Sequence, residues 1–427
     1  MAVGFLFFAL LLLGMPIAFA IGLAGLTGLI QLDNQRFLLT GVSKLFTGMD
    51  SFTFLAMPFF ILAGEIMNHI GITNQLMRLA HVMVGHFRGG LAHANMVASV
   101  LFSGLTGAAT ADAAAFGKTL VPEMVRNGYR RDYAAAVTAA GSIIGPTIPP
   151  SGLMVVYGSL MGVSIGGLFA AGILPGLMIC AVCMAIIALG AARNNLPRAE
   201  RRATMKELAR AIWSAGLALM MPVIILGGIL GGIVTPTEAA SVAVAYALFV
   251  GLVIYRNLTL SDLYQMLLTT ARTTGVIFAI IAFASMLGWW MSFERIPQAI
   301  AGAVLSISSN PAVIIFLVVL ILLAVGMVMD ITAILIILAP VLVPLANDIG
   351  LQPIHSGIIF VLALNISLMT PPVGACLFVL SSVTGEKLER IAAKLWPFLI
   401  AEIGVLFVFA YWEWLALLVP RLLGFAN

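Results

Sequence analysis

The chain has 427 residues, 62% of them apolar or aromatic and only 9% charged. An ordinary soluble protein carries about 25% charged residues, so 21 basic and 17 acidic side chains cannot clothe a water-facing surface of this size. With a mean hydropathy of +1.13, the composition describes an all-α polytopic membrane protein. It excludes a soluble enzyme, a nucleic-acid binder and a disordered scaffold, and the net charge of +4 comes from basic residues in short loops.

The N-terminal stretch imitates a signal peptide, with an apolar run ending in Ala18-Phe19-Ala20, but its first basic residue is Arg36. It reads as a membrane segment. Apolar segments then follow at 2–14, 16–31, 51–69, 91–127, 133–162, 166–192, 212–234, 236–255, 273–291, 312–346, 356–384 and 396–420. A span needs about 20 residues. Segment 2–14 is short for one, and is either its own helix or the first half of a long helix continuing through 16–31. Segments 91–127 and 312–346 are too long for one crossing and are interrupted near their middles by small and polar residues. Cys180, Cys183 and Cys376 lie in apolar runs, so the chain has no disulfide framework. The Cys180–Cys183 pair has no charged neighbour and reads as packing. His69, His81, His86 and His93 flank or lie in the 70–90 loop and read as interfacial.

An internal repeat organises the chain. Pro16 answers to Pro236, Gly64 to Gly288, Asp112 to Asp330, Pro122 to Pro340, and Pro149-Pro150 to Pro371-Pro372. The offsets are 220, 224, 218, 218 and 222 residues, in order along the chain. The first repeat is assigned to 1–211 and the second to 212–427. Lys and Arg in short loops set the orientation. Loop 193–210 carries Arg193, Arg198, Arg201, Arg202, Lys206 and Arg210 and is expected on the cytoplasmic side. Loops 70–90 and 126–131 are basic as well, so 91–127 is a re-entrant hairpin from the cytoplasm. Stretch 347–355 lacks Lys and Arg, whereas 385–395 has three. Segment 312–346 is therefore a hairpin from outside, the halves are inverted, and the N-terminus is expected in the periplasm. Two inverted repeats, each with a re-entrant helical hairpin and a Pro-Pro-broken helix, are the plan of a secondary transporter with a scaffold and an elevator-type transport domain.

Three constellations carry the chemistry. The first is the tip Ser103-Gly104-Leu105-Thr106-Gly107-Ala108-Ala109-Thr110-Ala111-Asp112, whose small residues admit a ligand to the backbone and whose oxygens suit a hard cation. Asp112 also reads as a capping or first-turn residue of the returning arm. The second is Gly141-Ser142-Ile143-Ile144-Gly145-Pro146-Thr147-Ile148-Pro149-Pro150-Ser151-Gly152, which cannot be continuous helix over 145–152, with its mate Asn365 to Gly374. The third is Gly326-Met327-Val328-Met329-Asp330-Ile331-Thr332, where an aspartate inside the membrane is functional by default or else caps the tip. Na⁺ is expected at Ser103, Gly107, Gly145 and Pro149, and at Gly326, Asp330, Thr332, Thr370 and Pro371. Substrate is expected at Thr106, Thr110, Asp112, Thr147, Ser151, Asn365 and Ser367. Thr235-Pro236-Thr237-Glu238 reads as a capping box. The free half-helix N-termini favour an anion, and because no Lys or Arg lies inside the broken spans it is expected to be held by those N-termini and hydroxyls, without a dedicated arginine.

These motifs, SGLTGAATADAAAFG at 103–117, GPTIPPSGLMVVYG at 145–158, MDITAILIILAP at 329–340 and NISLMTPPVG at 365–374, resemble the large membrane subunit of tripartite ATP-independent periplasmic (TRAP) transporters. The resemblance covers nearly the whole chain. It implies a Na⁺-driven importer of organic acids such as C4-dicarboxylates or sialic acids in the bacterial inner membrane. It further implies a small four-helix membrane subunit, here not fused to the chain, and a periplasmic substrate-binding protein. No nucleotide-binding P-loop occurs, so ATP is not expected. Two other readings remain at this point: a stand-alone Na⁺/dicarboxylate carrier with paired hairpins, and an intramembrane aspartyl protease using Asp112 and Asp330.

Overall fold

The computed structural model describes residues 2–32, 34–192, 196–197 and 202–426, with their side chains except at 2, 35, 104–106 and 307. Arg193, Arg198, Arg201 and the side chain of Thr106 lie outside the described residues. Helices α1 (Ala2–Leu12), α2 (Ile17–Gln31) and α3 (Gln35–Thr47) open the chain. A 3₁₀ turn leads into α4 (Ala56–His69), followed by α5 (Ile72–Val84), α6 (Gly90–Thr106) and α7 (Ala109–Arg126). Next come α8 (Arg131–Ser142), the single turn α9 (Ile144–Thr147), α10 (Gly152–Met161) and α11 (Ile165–Ala191). The second set is α12 (Met205–Leu230), α13 (Pro236–Phe249) ending in a π turn, α14 (Leu260–Phe293), α15 (Ile296–Ile307), α16 (Pro311–Gly326) and α17 (Ile331–Asp348). It continues with α18 (Pro353–Ser367), α19 (Ala375–Thr384) and α20 (Leu388–Tyr411), and the short α21 (Glu413–Ala416) and α22 (Leu418–Leu422) close the chain.

Local sequence explains the main boundaries. Reciprocal capping boxes start α12 at Thr204/Glu207, α13 at Thr235/Glu238 and α14 at Thr259/Asp262, each satisfying amides the first turn leaves free. Pro236 occupies the first helical position of α13, where its missing N–H costs nothing. The segment around Pro149-Pro150 separates α9 from α10, and the helices on its two sides meet at 41°. Pro371-Pro372 likewise separates α18 from α19. Both Pro-Pro bonds are cis.

By length and apolarity, seven described helices can cross a membrane, and the bent α8–α10 unit is an eighth. The chain is a multi-pass helical membrane protein. Helix pairing is reciprocal: α2 packs on α14 while α4 packs on α13, and α7 packs on α19 while α10 packs on α17. Likewise α8 packs on α20 and α11 on α18. Cys180 and Cys183 are buried free thiols, and the Cys183 thiol donates to Glu402 Oε1 at 3.2 Å across the α11–α20 contact.

The structure departs from the sequence reading in three places. The stretch 70–90 is not a loop throughout: α5 buries Ile72, Thr73, Leu76, Leu79 and Ala80 and exposes Asn74, Arg78 and His81. Its one-sided pattern lowers the average hydropathy and hides the helix from an apolar-run search. His93 is buried in α6, not interfacial. Of the two readings left open for the first two apolar segments, the structure has separate helices, parted at Gly14, whose φ of 81° favours glycine. Finally, α14 begins thirteen residues before the apolar segment at 273, at its capping box.

Candidate transport cavity

A cavity of 1330 Å³ opens among the helices. One wall is built from both hairpin tips and both helix breaks: Gly107 to Ala111, Pro146 and Pro150 to Leu153, Gly326 to Thr332, and Asn365 to Ala375 all contribute lining residues. The other wall comes from the start of α2, one side of α4 from Met57 to Asn68 and residues 271–280 of α14. The sequence placed the four landmarks together, and they do share this cavity.

Four helix N-termini open onto it. The lining includes the starts of α7 at Ala109, α10 at Gly152, α17 at Ile331 and α19 at Ala375. Each start leaves backbone N–H groups without intrahelical acceptors and carries partial positive charge. At α17 the Asp330 side chain answers part of this, with Oδ1 accepting from the Thr332 and Ala333 amides at 2.9 and 3.2 Å. Asp330 thus caps the second tip and also faces the cavity. Asp112, its counterpart, is fully buried in the first turn of α7.

Each tip is seated against a break by glycine. A methyl group added at Gly107 would lie 2.9 Å from the Pro150 carbonyl oxygen, and Gly107 has a φ of 60°. One added at Gly145 would collide with Asp112 Oδ2, and one at Gly326 with the Ser367 hydroxyl. The breaks are also joined to each other. Asn365 Nδ2 donates to Thr147 Oγ1 at 3.2 Å, while Thr147 donates to the Ile143 carbonyl at 2.7 Å.

The expected ligand residues divide into two groups. Gly107, Thr110, Gly326, Asp330, Thr332 and Asn365 line the cavity. The others lie behind that surface or beside it. Ser103, Ser367 and Thr370 donate to the carbonyls of Val100, Leu364 and Ile366 one turn earlier. Thr147, Gly145, Pro149 and Asp112 are buried, and Pro371 is half-buried. The Ser151 hydroxyl and Asn365 Oδ1 are buried with no hydrogen-bond partner among the described residues. Such oxygens are suited to a hard cation, so the donor set here fits Na⁺. Among the described residues no cluster of His, Cys, Asp or Glu offers a transition-metal site.

Sequence reading missed Arg272. It is exposed, lines the cavity from α14 and is the only cationic side chain among the described lining residues. Counting the apolar segment from 273 left it just outside a span. The Thr259-x-x-Asp262 box was the available signal, because it moves the helix start to Leu260 and puts Arg272 twelve residues inside. Glu65 lines the same wall.

Comparison with known proteins agrees with this architecture. A family model described as "Tripartite ATP-independent periplasmic transporter, DctM component" matches residues 5–415. The sialic acid TRAP transporter large permease protein SiaM of Vibrio cholerae is 40% identical over 98% of this chain and 98% of its own length. The C4-dicarboxylate TRAP transporter large permease protein DctM of Pseudomonas aeruginosa is also 40% identical, over 89% of each chain. The crystal structure of the Alcanivorax borkumensis YdaH transporter, described as having an unusual topology, superposes with a TM-score of 0.58 at 19% identity. It covers 92% of this chain and 89% of that one, a likeness of fold. These relatives are transporter permeases and not enzymes, which removes the protease reading: the chain belongs to the DctM component family of tripartite ATP-independent periplasmic transporters.

Proposed function

We propose that this protein is the transport subunit of a Na⁺-driven importer of organic-acid anions in the bacterial inner membrane. The observation that carries the reading is the convergence of four helix N-termini and both hairpin tips on one cavity. Aligned amides favour negative charge, and in a membrane interior such irregular backbone is tolerated where it lines a wet space. Two relatives of equal identity are named for sialic acid and for C4-dicarboxylates. A carboxylate is what those ligands share, and it is the group helix amides would hold.

Na⁺ enters as the co-transported ion. One site is assigned to Ser103, Gly107, Gly145 and Pro149, and the other to Gly326, Asp330, Thr332, Thr370 and Pro371. The partnerless oxygens of Ser151 and Asn365 support cation binding close to these segments. Bound Na⁺ supplies counter-charge to the anion, which makes the two bindings mutually supportive, and by linkage the effect is reciprocal. The tips and breaks form the moving part and the wall of α2, α4 and α14 the static part, in an inverted-repeat elevator with the loop at 193–210 in the cytoplasm. In that orientation Glu65, Asn68 and Arg272 lie in the cytoplasmic halves of their helices, while the α4 lining reaches back to Met57 near its other end. A periplasmic binding protein delivers substrate and a small four-helix subunit completes the membrane part.

Uptake by proteoliposomes tests this. Labelled succinate and N-acetylneuraminate are offered with and without an inward Na⁺ gradient, the small subunit and the binding protein. Accumulation of one anion that needs all three is expected. Accumulation without the binding protein would favour a stand-alone carrier, and indifference to Na⁺ would contradict the coupling.

A further inference from the structure

One wall of the cavity offers an anion helix N-termini, and the static one carries an unused cation. Helix α14 has 34 residues, about 51 Å of rise, against a hydrocarbon core of about 30 Å. Arg272 lies twelve residues in, about 18 Å along the helix, within the roughly 21 Å by which the helix exceeds that core and next to the apolar stretch that begins at 273. Its side chain is exposed to the cavity and makes no hydrogen bond or ion pair with any described residue. Glu65 lines the same wall but is not paired with it. The other charged lining residue is Asp330, whose carboxylate at the second tip opposes an anion there.

A guanidinium that lines a cavity with no carboxylate partner among the described residues is free to meet a ligand there. Its fork matches a carboxylate in two parallel hydrogen bonds. The cavity volume of 1330 Å³ exceeds the roughly 300–1,000 Å³ that encloses a drug-sized ligand. A small organic acid therefore does not fill the space between the walls.

The geometry points to Arg272 as a second anion station, on the static wall, which receives the substrate carboxylate after it leaves the hairpin tips. This rests on the organic-anion reading of the cavity and deepens it. In an elevator the tips travel with the substrate while α14 stays, so Arg272 meets the anion only in the inward arrangement. It acts on release, with little effect on capture from the periplasmic side.

Arginine modification by phenylglyoxal, read residue by residue by mass spectrometry, tests the station directly in the purified chain. The probes are succinate and N-acetylneuraminate, with chloride at equal ionic strength as control. Only the free fraction reacts, so an anion present at ten times its dissociation constant slows modification of Arg272 about tenfold. Protection by neither anion overturns the proposal. In uptake assays Arg272→Gln is expected to lower the maximal rate with little change in KM, and Arg272→Lys to restore part of it. Equal impairment of both variants, with unaltered melting temperatures, would assign the residue to shape and not to charge. Protection without Na⁺-driven uptake would keep the station and sink the transport reading. Uptake without protection would sink the station alone.

Discussion

Gly326→Ala is the sharpest probe of how the second tip is seated. The new methyl would lie 2.5 Å from Ser367 Cβ and would also collide with the Ser367 hydroxyl. Carbon atoms rest at about 3.5–4.0 Å, so the tip must retreat from α18 by roughly 1 Å. Overpacking of this kind costs about 1–3 kcal/mol. Charged against the closed arrangement of tip and break, that weakens binding there about 5- to 150-fold. The structure also names the remedy. After Ser367→Gly, the nearest atom left to the methyl is Leu364 Cδ2 at 3.8 Å, an ordinary contact. Ser367 ends α18 and spends its hydroxyl on the Leu364 carbonyl, so glycine there costs at most about 1 kcal/mol. The assay is Na⁺-dependent uptake, with Na⁺ concentration varied, for wild type, both single variants and the double variant. Loss in Gly326→Ala and recovery in the double variant are expected. Wild-type behaviour of the single variant, or a double variant no better than the single, would refute the seating described here.

Two further outcomes follow from the same packing. Gly145→Ala drives a methyl into the Asp112 carboxylate beneath the first tip, so uptake should fall about 100-fold while the protein still inserts and can be purified; uptake within threefold of wild type would contradict this. Tyr157→Phe removes the hydroxyl that meets Ser356 Oγ at 3.0 Å between α10 and α18, while Ser356 keeps its bond to the Pro353 carbonyl. Thermal unfolding in detergent should register about 0.5–1.5 kcal/mol for Tyr157→Phe and about 3–5 kcal/mol for Tyr157→Ala, and equal losses would show that packing of this fully buried ring is not what matters.

Much of the architecture was legible because broken helices have a loud sequence signal. Three prolines and two glycines within 145–152 forbid continuous helix, and the same landmarks recur near 371. Their meeting at one cavity was anticipated from that register. What escaped was quieter. Helices α5 and α15 are short and lie in stretches read as connections, and α5 is one-sided. Side-chain direction escaped too. At Ser103, Ser367 and Thr370 each hydroxyl donates to a carbonyl one turn earlier, which the sequence did not show and which leaves the oxygen lone pairs for a cation. A serine or threonine in a helix always has that carbonyl within reach, and only three-dimensional neighbours decide otherwise. Arg272 was lost to a boundary drawn by hydropathy where a capping box draws it better.

Calorimetric titration of purified protein with the transported anion, at zero and at saturating Na⁺, addresses coupling at this cavity most directly. Helix N-termini, hydroxyls and one distant guanidinium leave a carboxylate at the tips short of positive charge, and Na⁺ beside it should supply the difference. We expect the anion to bind at least about tenfold more tightly with Na⁺, and Na⁺ to bind more tightly by the same factor with the anion. Equal anion affinities in the two conditions would contradict the account.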